Sequence, residues 1–436
     1  MMAQDDMTQD FSYLPRLADV ALKEKIDGVS AVLVRGPKWT GKTSSCEQIA
    51  KSGLMLRDPD VYVRALEAIA VRPSLLLQGE RPRLIDEWQL APVLWDAVIN
   101  EADKAKGASG LFLLTGSATP VDESQLRHTG TGRIARLNMD PMTLEESQES
   151  TGEVSLAALF ESSVLEGESY SVEGASKLDV EDYARIICRG GWPAAVTGRS
   201  KGALTRDYID AICESDMAEA VGVDLDPDRA QALIRSLARN VAQEANNQTI
   251  LEDVRNAGIG MTDPTLRVYL NALRRLFVLE EVKAWGPTLR SRTPLRSSPV
   301  RHFCDPSIPA AALEVNAAGL LNDLTTMGFL FESLCIRDLR AYMRVAGGEV
   351  YHYRDKSGLE ADAIVRLPDG RWGAVEVKLG GTSRIEEAAR HLKALAGKVD
   401  SARTGAPSFL AVLTGSAYAY TRPDGVHVVP LGCLCH

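Results

Sequence analysis

Val32-Leu-Val-Arg-Gly-Pro-Lys-Trp-Thr-Gly-Lys-Thr-Ser44 decides how this chain is read. An apolar run over residues 29–34, interrupted only by Ser30, feeds Gly36-x-x-x-x-Gly41-Lys42-Thr43, and residues 44–52 continue as a helix. Strand, glycine-rich turn and helix in that order make a phosphate-cradling loop, the P-loop. Its glycines let the backbone curl so that N–H groups converge on phosphate oxygens. The cradle comprises Gly36, Pro37, Lys38, Trp39, Thr40, Gly41, Lys42, Thr43 and Ser44. Lys42 is placed to reach the β- and γ-phosphates, and the Thr43 hydroxyl to hold Mg2+, so the expected ligand is ATP or GTP with its magnesium ion.

Such a loop needs an acid on a neighbouring strand. Arg83-Leu-Ile-Asp-Glu-Trp88 supplies one, with Leu84 and Ile85 ending a buried parallel strand. Asp86 is expected to bind Mg2+ through water and Glu87 to polarise the attacking water. The next strand, Leu111-Phe-Leu-Leu-Thr-Gly-Ser117, ends in small polar residues at the edge where ligands bind in open α/β sheets. Ser117, in preference to Thr115, is the candidate for a hydrogen bond to the γ-phosphate or the attacking water. His128-Thr-Gly-Thr-Gly-Arg133-Ile-Ala-Arg136 follows. Its glycine-hinged loop either presents Arg133 to the γ-phosphate of a neighbouring subunit or is a solvated turn.

A chain of 436 residues with 45% apolar and 25% charged residues has room for two to four soluble domains. A net charge of −10 speaks against nucleic-acid affinity of the whole surface but not against a local basic patch. No apolar stretch approaches the length of a membrane span, and the N-terminus is acidic without an apolar signal core. Seven scattered cysteines, at 46, 188, 213, 304, 335, 433 and 435, do not form a disulfide framework, so a cytoplasmic location is expected. Cys433-Leu-Cys435-His436 lacks a second ligand pair and is expected to be a frayed terminus rather than a metal tail. His302, His352 and His391 also lack metal-ligand spacing.

Tyr13-Leu-Pro-Arg16, the P-loop, Leu84-Ile-Asp-Glu-Trp-Gln89 and Leu113-Leu-Thr-Gly-Ser117 together resemble a family of prokaryotic AAA-type ATPases. Gly191-Trp-Pro-Ala194, residues 208–216 and Gly328-Phe-Leu-Phe-Glu332 match that family's order of motifs, so the resemblance spans nearly the whole chain. It implies an AAA-type core with a helical lid, ATP as the nucleotide and a homo-oligomeric ring. It implies no substrate, because the family's C-terminal region has no assigned function.

Residues 141–180 carry Glu145, Glu146, Glu149, Glu153, Glu161, Glu166, Glu168 and Glu173, and are expected to form a solvated insertion. Helices are expected over 180–189 and 205–220, separated by the breaker Gly190-Gly-Trp-Pro193. Three further helices, over 229–246, 249–257 and 264–276, precede a strand at 277–283 and its return at 299–303. That order suggests a winged helix. Residues 264–303 hold eight Arg or Lys against two Glu, the footprint of phosphate contacts and hence of DNA as a partner. Arg290, Arg292 and Arg296, on a Ser/Pro-rich loop, are the candidate DNA contacts. Winged helices also serve as protein–protein adaptors, so a protein partner stands beside DNA.

The last third carries a second constellation. Glu332 lies on a helix, Glu360-Ala-Asp362-Ala-Ile-Val alternates as a strand, and Pro368-Asp-Gly370 turns the chain into Arg371-Trp-Gly-Ala-Val-Glu376-Val-Lys378. Glu376 and Lys378, two apart, share a strand face. Asp362 and Glu376 on adjacent strands suit Mg2+, with Lys378 steadying the attacking water. This order resembles the restriction-endonuclease-like superfamily. The resemblance assigns catalysis to Asp362, Glu376 and Lys378 and a supporting role to Glu332; Ala361 stands where a proline often precedes the Asp.

The fold expected is therefore α/β and multidomain. An AAA-type P-loop core occupies 1–145, a helical lid with the acidic insertion 146–220, a winged-helix-like domain 221–305 and a restriction-endonuclease-like domain 306–436. The expected function is ATP hydrolysis controlling a DNA-engaging C-terminal half with metal-dependent phosphodiester cleavage. The alternative is a nucleotide-gated DNA- or protein-binding switch that uses an inactive nuclease-like platform.

Overall fold

The computed structural model describes residues 13–116, 129–161, 171–200, 204–287 and 298–436. Its first layer is a five-stranded parallel sheet built from β1 (Ala31–Arg35), β2 (Ser52–Met55), β3 (Arg83–Asp86), β4 (Phe112–Gly116) and β5 (Ile134–Asn138). The strand order is β2-β3-β4-β1-β5. Ala31, Val32 and Val34 are fully buried, as expected of a central strand covered on both faces. The helices Pro59–Val71 and Val93–Lys104 flank one face, around Trp88, Trp95 and Ile99. Leu17–Gly28 and the P-loop helix Lys42–Glu47 cover the other, around Leu22, Ile26 and Leu113.

The helix expected over 44–52 is shorter. It ends at Glu47, and Ser52–Met55 is the edge strand β2. A four-residue, half-exposed edge segment containing Gly53 carries almost no strand signal of its own; it is a strand because β3 lies beside it in register.

Among the described residues the acidic stretch after β5 is anchored in the core rather than wholly solvated, although Glu153, Glu161 and Glu173 are exposed. Leu144, Val154, Leu156, Leu159 and Phe160 lie in the largest core cluster, and Glu146 is buried. The terminus is not frayed either. Leu431, Gly432 and Cys433 are buried, and β16 (Leu434–Cys435) pairs with β6 (Val154–Ser155). The His436 ring bonds Glu145, and Ser155 Oγ donates to the His436 carbonyl. All seven cysteines are free.

The helix Val180–Arg189 stops at Gly190 (φ +76°). Gly191 then passes so close to Met142 that a Cβ would lie 2.3 Å from its carbonyl oxygen. Beyond Pro193–Val196 an arm runs through Leu204–Ala211, a π-turn at Ile212–Asp216 and Met217–Val221. Three helices follow, Pro227–Arg239, Asn247–Asn256 and Asp263–Arg275, each started by a side-chain cap from Asp226, Asn246 or Thr262. They lead into an antiparallel pair, β8 (Leu279–Ala284) and β9 (Val300–Phe303).

That pair does not stand apart. β8 runs parallel to β10 (Glu349–Arg354), so the sheet is continuous across residue 305. The full order is β7-β14-β15-β13-β12-β11-β10-β8-β9. It includes β11 (Glu360–Arg366), β12 (Trp372–Lys378), β13 (Phe409–Thr414), β14 (Tyr418–Thr421) and β15 (His427–Pro430), with β7 (Glu173–Ala175) at the edge. β10, β11 and β12 form an antiparallel meander, and β13 returns parallel to β12 after the helix Thr382–Lys398. One face packs on the long helix Leu324–Val345, the other on Thr382–Lys398.

The long helix also ties the halves together. Arg344 makes two contacts with the Asp140 carboxylate (2.6 and 2.7 Å), just beyond β5, and Arg340 pairs with Glu280 on β8. Arg337, nearly inaccessible, bridges Asp305 (3.0 Å) and Asp338 (2.7 Å). The same acids accept from the Gly191 and Leu144 backbone N–H groups. Arg337→Met would strand two buried carboxylates, which is expected to cost on the order of 3 kcal/mol, more than the pair contributes when intact. The check is a lowered chemical-denaturation midpoint; an unchanged midpoint would mean that the network carries little of the stability.

Candidate functional site

The P-loop leaves β1 and enters its helix through two positions that suit glycine. A Cβ on Gly36 would meet the Met139 carbonyl oxygen at 2.2 Å, and Gly41 sits at φ +89°. Arg16 holds the loop from behind. Its Nη1 donates to the Thr40 carbonyl (2.6 Å), its Nη2 to the Asp140 carbonyl (2.7 Å) and its Nε to Glu146 (3.0 Å). In a trans peptide C=O and N–H point opposite ways. Drawing the Thr40 carbonyl toward Arg16 therefore turns the Gly41 N–H away from it, to the phosphate side.

Lys42 is buried, and its ammonium donates to the Gly36 and Pro37 carbonyls (3.0 and 2.6 Å). Burial pulls its pKa down to about 8; Glu87 and Asp86 oppose the shift and Lys38 adds to it. A triphosphate binds the ammonium form. Nucleotide affinity is therefore expected to be flat below pH 8 and to fall above it, by at most about tenfold per pH unit. Calorimetric titration between pH 7 and 9.5 checks this; a flat profile to pH 9.5 would contradict the Lys42 assignment.

Asp86 ends β3 fully buried. Its Oδ1 accepts from Thr43 Oγ1 (2.7 Å) and Thr115 Oγ1 (2.6 Å), whereas its buried Oδ2 has no hydrogen-bond partner. An orphaned buried carboxylate oxygen beside the P-loop threonine fits residues that would hold Mg2+, which would supply charge neutralisation. Glu87 takes a left-handed backbone (φ +55°), and its carboxylate accepts from Gln89 Nε2. Thr115 serves Asp86, while Ser117 lies outside the described residues. Arg133 precedes β5 at the sheet edge opposite its own P-loop and pairs with Asp103 at 2.9 Å, half-exposed. That places it away from the P-loop of its own chain, which follows the other end of β1.

Several basic residues between 264 and 303 have carboxylate partners. Arg267 pairs with Asp263, Arg274 with Glu281, and Arg301, buried, with Glu281 and the Ala245 carbonyl. Glu281 already counts in the balance read from the sequence, so only the Asp263 pair lowers it, and the segment keeps a large positive excess. Arg290, Arg292 and Arg296 lie outside the described residues.

In the last third, Asp362, Glu376 and Lys378 come together. Lys378 Nζ lies 2.6 Å from Glu376 Oε2 and 3.5 Å from Asp362 Oδ2, and the Val377 N–H donates to Asp362 Oδ2 (2.7 Å). One further step of the β11/β12 register sets Asp362 across from Glu376. Glu376 Oε1 is buried without a hydrogen-bond partner. Burial, reinforced by Asp362, pushes the Glu376 pKa up to about 8. Burial next to Asp362 also raises Glu332 well above the usual carboxylate range. Burial alone would lower Lys378, but the Asp362 and Glu376 charges hold it above an ordinary lysine. Asp362 and Glu376 share the Lys378 ammonium, and Glu332 lies within reach of the same charges. Among the described residues no group of three or more His, Cys, Asp or Glu converges as a ready metal set, so each candidate site offers one or two carboxylates and needs phosphate oxygens to complete it. His302 is a core residue, bonded to Ser333 Oγ at 2.8 Å, with burial lowering its pKa to about 3.

Arg16, Asp140 and Asp216 were given no role by the sequence. Glu146 had a legible signal: Thr143-x-x-Glu146 makes the reciprocal bonds of a capping box.

Residues 29–148 match the family model of an AAA domain, residues 180–319 a Domain of unknown function (DUF8612), and residues 327–434 a Domain of unknown function (DUF4143). Residues 29–148 thus form a P-loop ATPase domain of AAA type. No curated protein matches the chain. Among solved structures, the Walker-type ATPase PABY2304 of Pyrococcus abyssi aligns at 12% identity with a TM-score of 0.42, over 70% of this chain and 99% of that one. The Holliday junction branch migration motor RuvB of Thermotoga maritima aligns at 18% identity with a TM-score of 0.22, over 64% of this chain and 90% of that one. No helix among the described residues is long and apolar enough to cross a membrane.

Proposed function

We propose that the chain hydrolyses ATP at the P-loop and cleaves phosphodiester bonds of DNA at a second, restriction-endonuclease-like site. The observation that carries the first half is the Asp86 carboxylate, with one oxygen fixed by Thr43 and Thr115 and the other buried and unpaired. Thr43 and Asp86 would hold Mg2+, which when bound neutralises charge on the phosphates. The chain's own groups do the rest. P-loop N–H groups and Lys42 bind the phosphates, and Glu87 orients a water and draws its proton.

The second half is supported by the Asp362, Glu376 and Lys378 cluster on an αβββαβ arrangement: the long helix, β10 to β12, the helix Thr382–Lys398 and β13. Asp362 and Glu376 would hold a divalent ion that polarises the scissile phosphate. Displaced from between the acids, the Lys378 ammonium is free to orient the attacking water. Incubating full-length protein with supercoiled plasmid, Mg2+ or Mn2+, and ATP tests this half, with nicked or linear product expected. DNA retention without cleavage would favour a nucleotide-gated switch, the reading favoured by Lys378 capping both acids. Absence of both would remove DNA as the partner.

A further inference from the structure

Lys38, the second lysine of the P-loop, is ion-paired with a carboxylate far along the chain. Its ammonium lies 2.8 Å from Asp216 Oδ1, at the end of the π-turn in the arm. The Asp216 side chain is 5% exposed and that of Lys38 38%. The contact continues along the loop. Trp39, at φ +66°, packs its indole on Tyr208 with ring centroids 5.0 Å apart. Tyr208 meets Trp192 edge-on at 5.1 Å, and the Pro193 ring lies beside Gly41. The arm and the segment before it thus touch the loop at residues 38, 39 and 41.

We infer that Lys38 distinguishes nucleoside triphosphate from diphosphate, and that Asp216 is the counter-ion which the γ-phosphate displaces, releasing the arm from the P-loop. The inference rests on the nucleotide reading of the P-loop given above. Lys38 and Lys42 lie four residues apart on the same loop, and the Lys38 charge acts on Lys42. Lys42 suffices for the β-phosphate of either nucleotide, whereas a second lysine gains a partner only when a third phosphate arrives. Only the Lys38 end of the pair is solvated, and the cost of desolvating Asp216 offsets much of the attraction, so the intact pair contributes little net. That is weak enough for one charge-assisted phosphate contact to replace it. Once Lys38 turns to phosphate, Asp216 is left buried without a counter-ion, held among the described residues only by the Ser215 hydroxyl (3.4 Å), and the arm relieves that cost by moving its carboxylate to water. The helix departs from α geometry over the turn that ends on Asp216, a deviation common at functional sites.

The test titrates full-length protein with Mg-AMPPNP and with Mg-ADP. Asp216→Asn is expected to raise the AMPPNP/ADP affinity ratio by about fivefold and Lys38→Met to lower it by a similar factor. Trp39 emission should change with AMPPNP but not with ADP, and the change should vanish in Trp39→Phe. If the wild type binds both nucleotides and the AMPPNP/ADP affinity ratio is unaltered in both variants, the inference is overturned while the P-loop reading stands. If the wild type binds neither nucleotide, the P-loop reading falls and the inference with it. Should Asp216→Asn fail to fold, seen as lost ADP binding, Lys38→Met on its half-exposed side chain decides alone.

Discussion

Glu87→Gln is expected to lower ATP turnover by about 10²- to 10⁴-fold and to leave nucleotide affinity nearly unchanged. The two acids ending β3 are held differently. Asp86 is buried and committed through Oδ1 to two threonine hydroxyls. Glu87 stands in a left-handed backbone beyond the strand, its carboxylate on Gln89 and its N–H on Thr115 Oγ1 (3.4 Å). A neutral amide keeps the shape and the Gln89 contact but cannot draw a proton from water. Steady-state phosphate release together with nucleotide titration separates the two effects. Wild-type turnover in Glu87→Gln would remove Glu87 as the water-activating group, and lost binding would make its role structural.

Glu376→Ala is expected to reduce metal-dependent plasmid cleavage by at least about 10²-fold while ATP hydrolysis continues. Its carboxylate is 2.6 Å from Lys378 through Oε2 and has Oε1 buried and unpaired, so the truncation would remove the proposed metal ligand and the lysine's nearer partner together. Removing a raised-pKa acid from a crowded cluster also relieves repulsion, so folding should not suffer. Agarose-gel nicking assays in Mn2+, with an ATPase assay on the same preparation, read both activities. Undiminished nicking in Glu376→Ala would assign the cleavage elsewhere.

The parts of this architecture that carry local signals were legible in the sequence. The P-loop announces itself through Gly36 and Gly41, positions that geometry restricts. The three helices before β8 carry caps and a 3.6-residue apolar period, and Pro368-Asp-Gly370 marks the β11/β12 turn. Asp362, Glu376 and Lys378 could be ordered along the chain because a strand's alternation is local. What failed depended on distant partners. Glu146 looks like a solvated acid until Arg16, 130 residues away, pairs with it. Cys433 looks frayed until β6 supplies a strand for the residues that follow it. The arginines near residue 270 read as unpaired until Glu281 and Asp263 are found beside two of them. Charge counted along a chain does not say which charges meet. Asp216 is the extreme case: its partner Lys38 is 178 positions away, and neither residue is unusual in its own neighbourhood.

The chain's two sites lie on different sheets, and the long helix Leu324–Val345 touches the surroundings of both. It carries Glu332 beside the acid cluster and Arg344 on Asp140, whose carbonyl is held by the same Arg16 that holds Thr40. Everything proposed downstream presupposes that the P-loop binds nucleotide through Lys42. The most direct measurement is calorimetric titration of wild type and Lys42→Ala with Mg-ATP, alongside their steady-state hydrolysis. The wild type should bind one nucleotide per chain and turn it over, and Lys42→Ala should lose both while keeping its fold. Binding and hydrolysis by Lys42→Ala at wild-type levels would contradict the account.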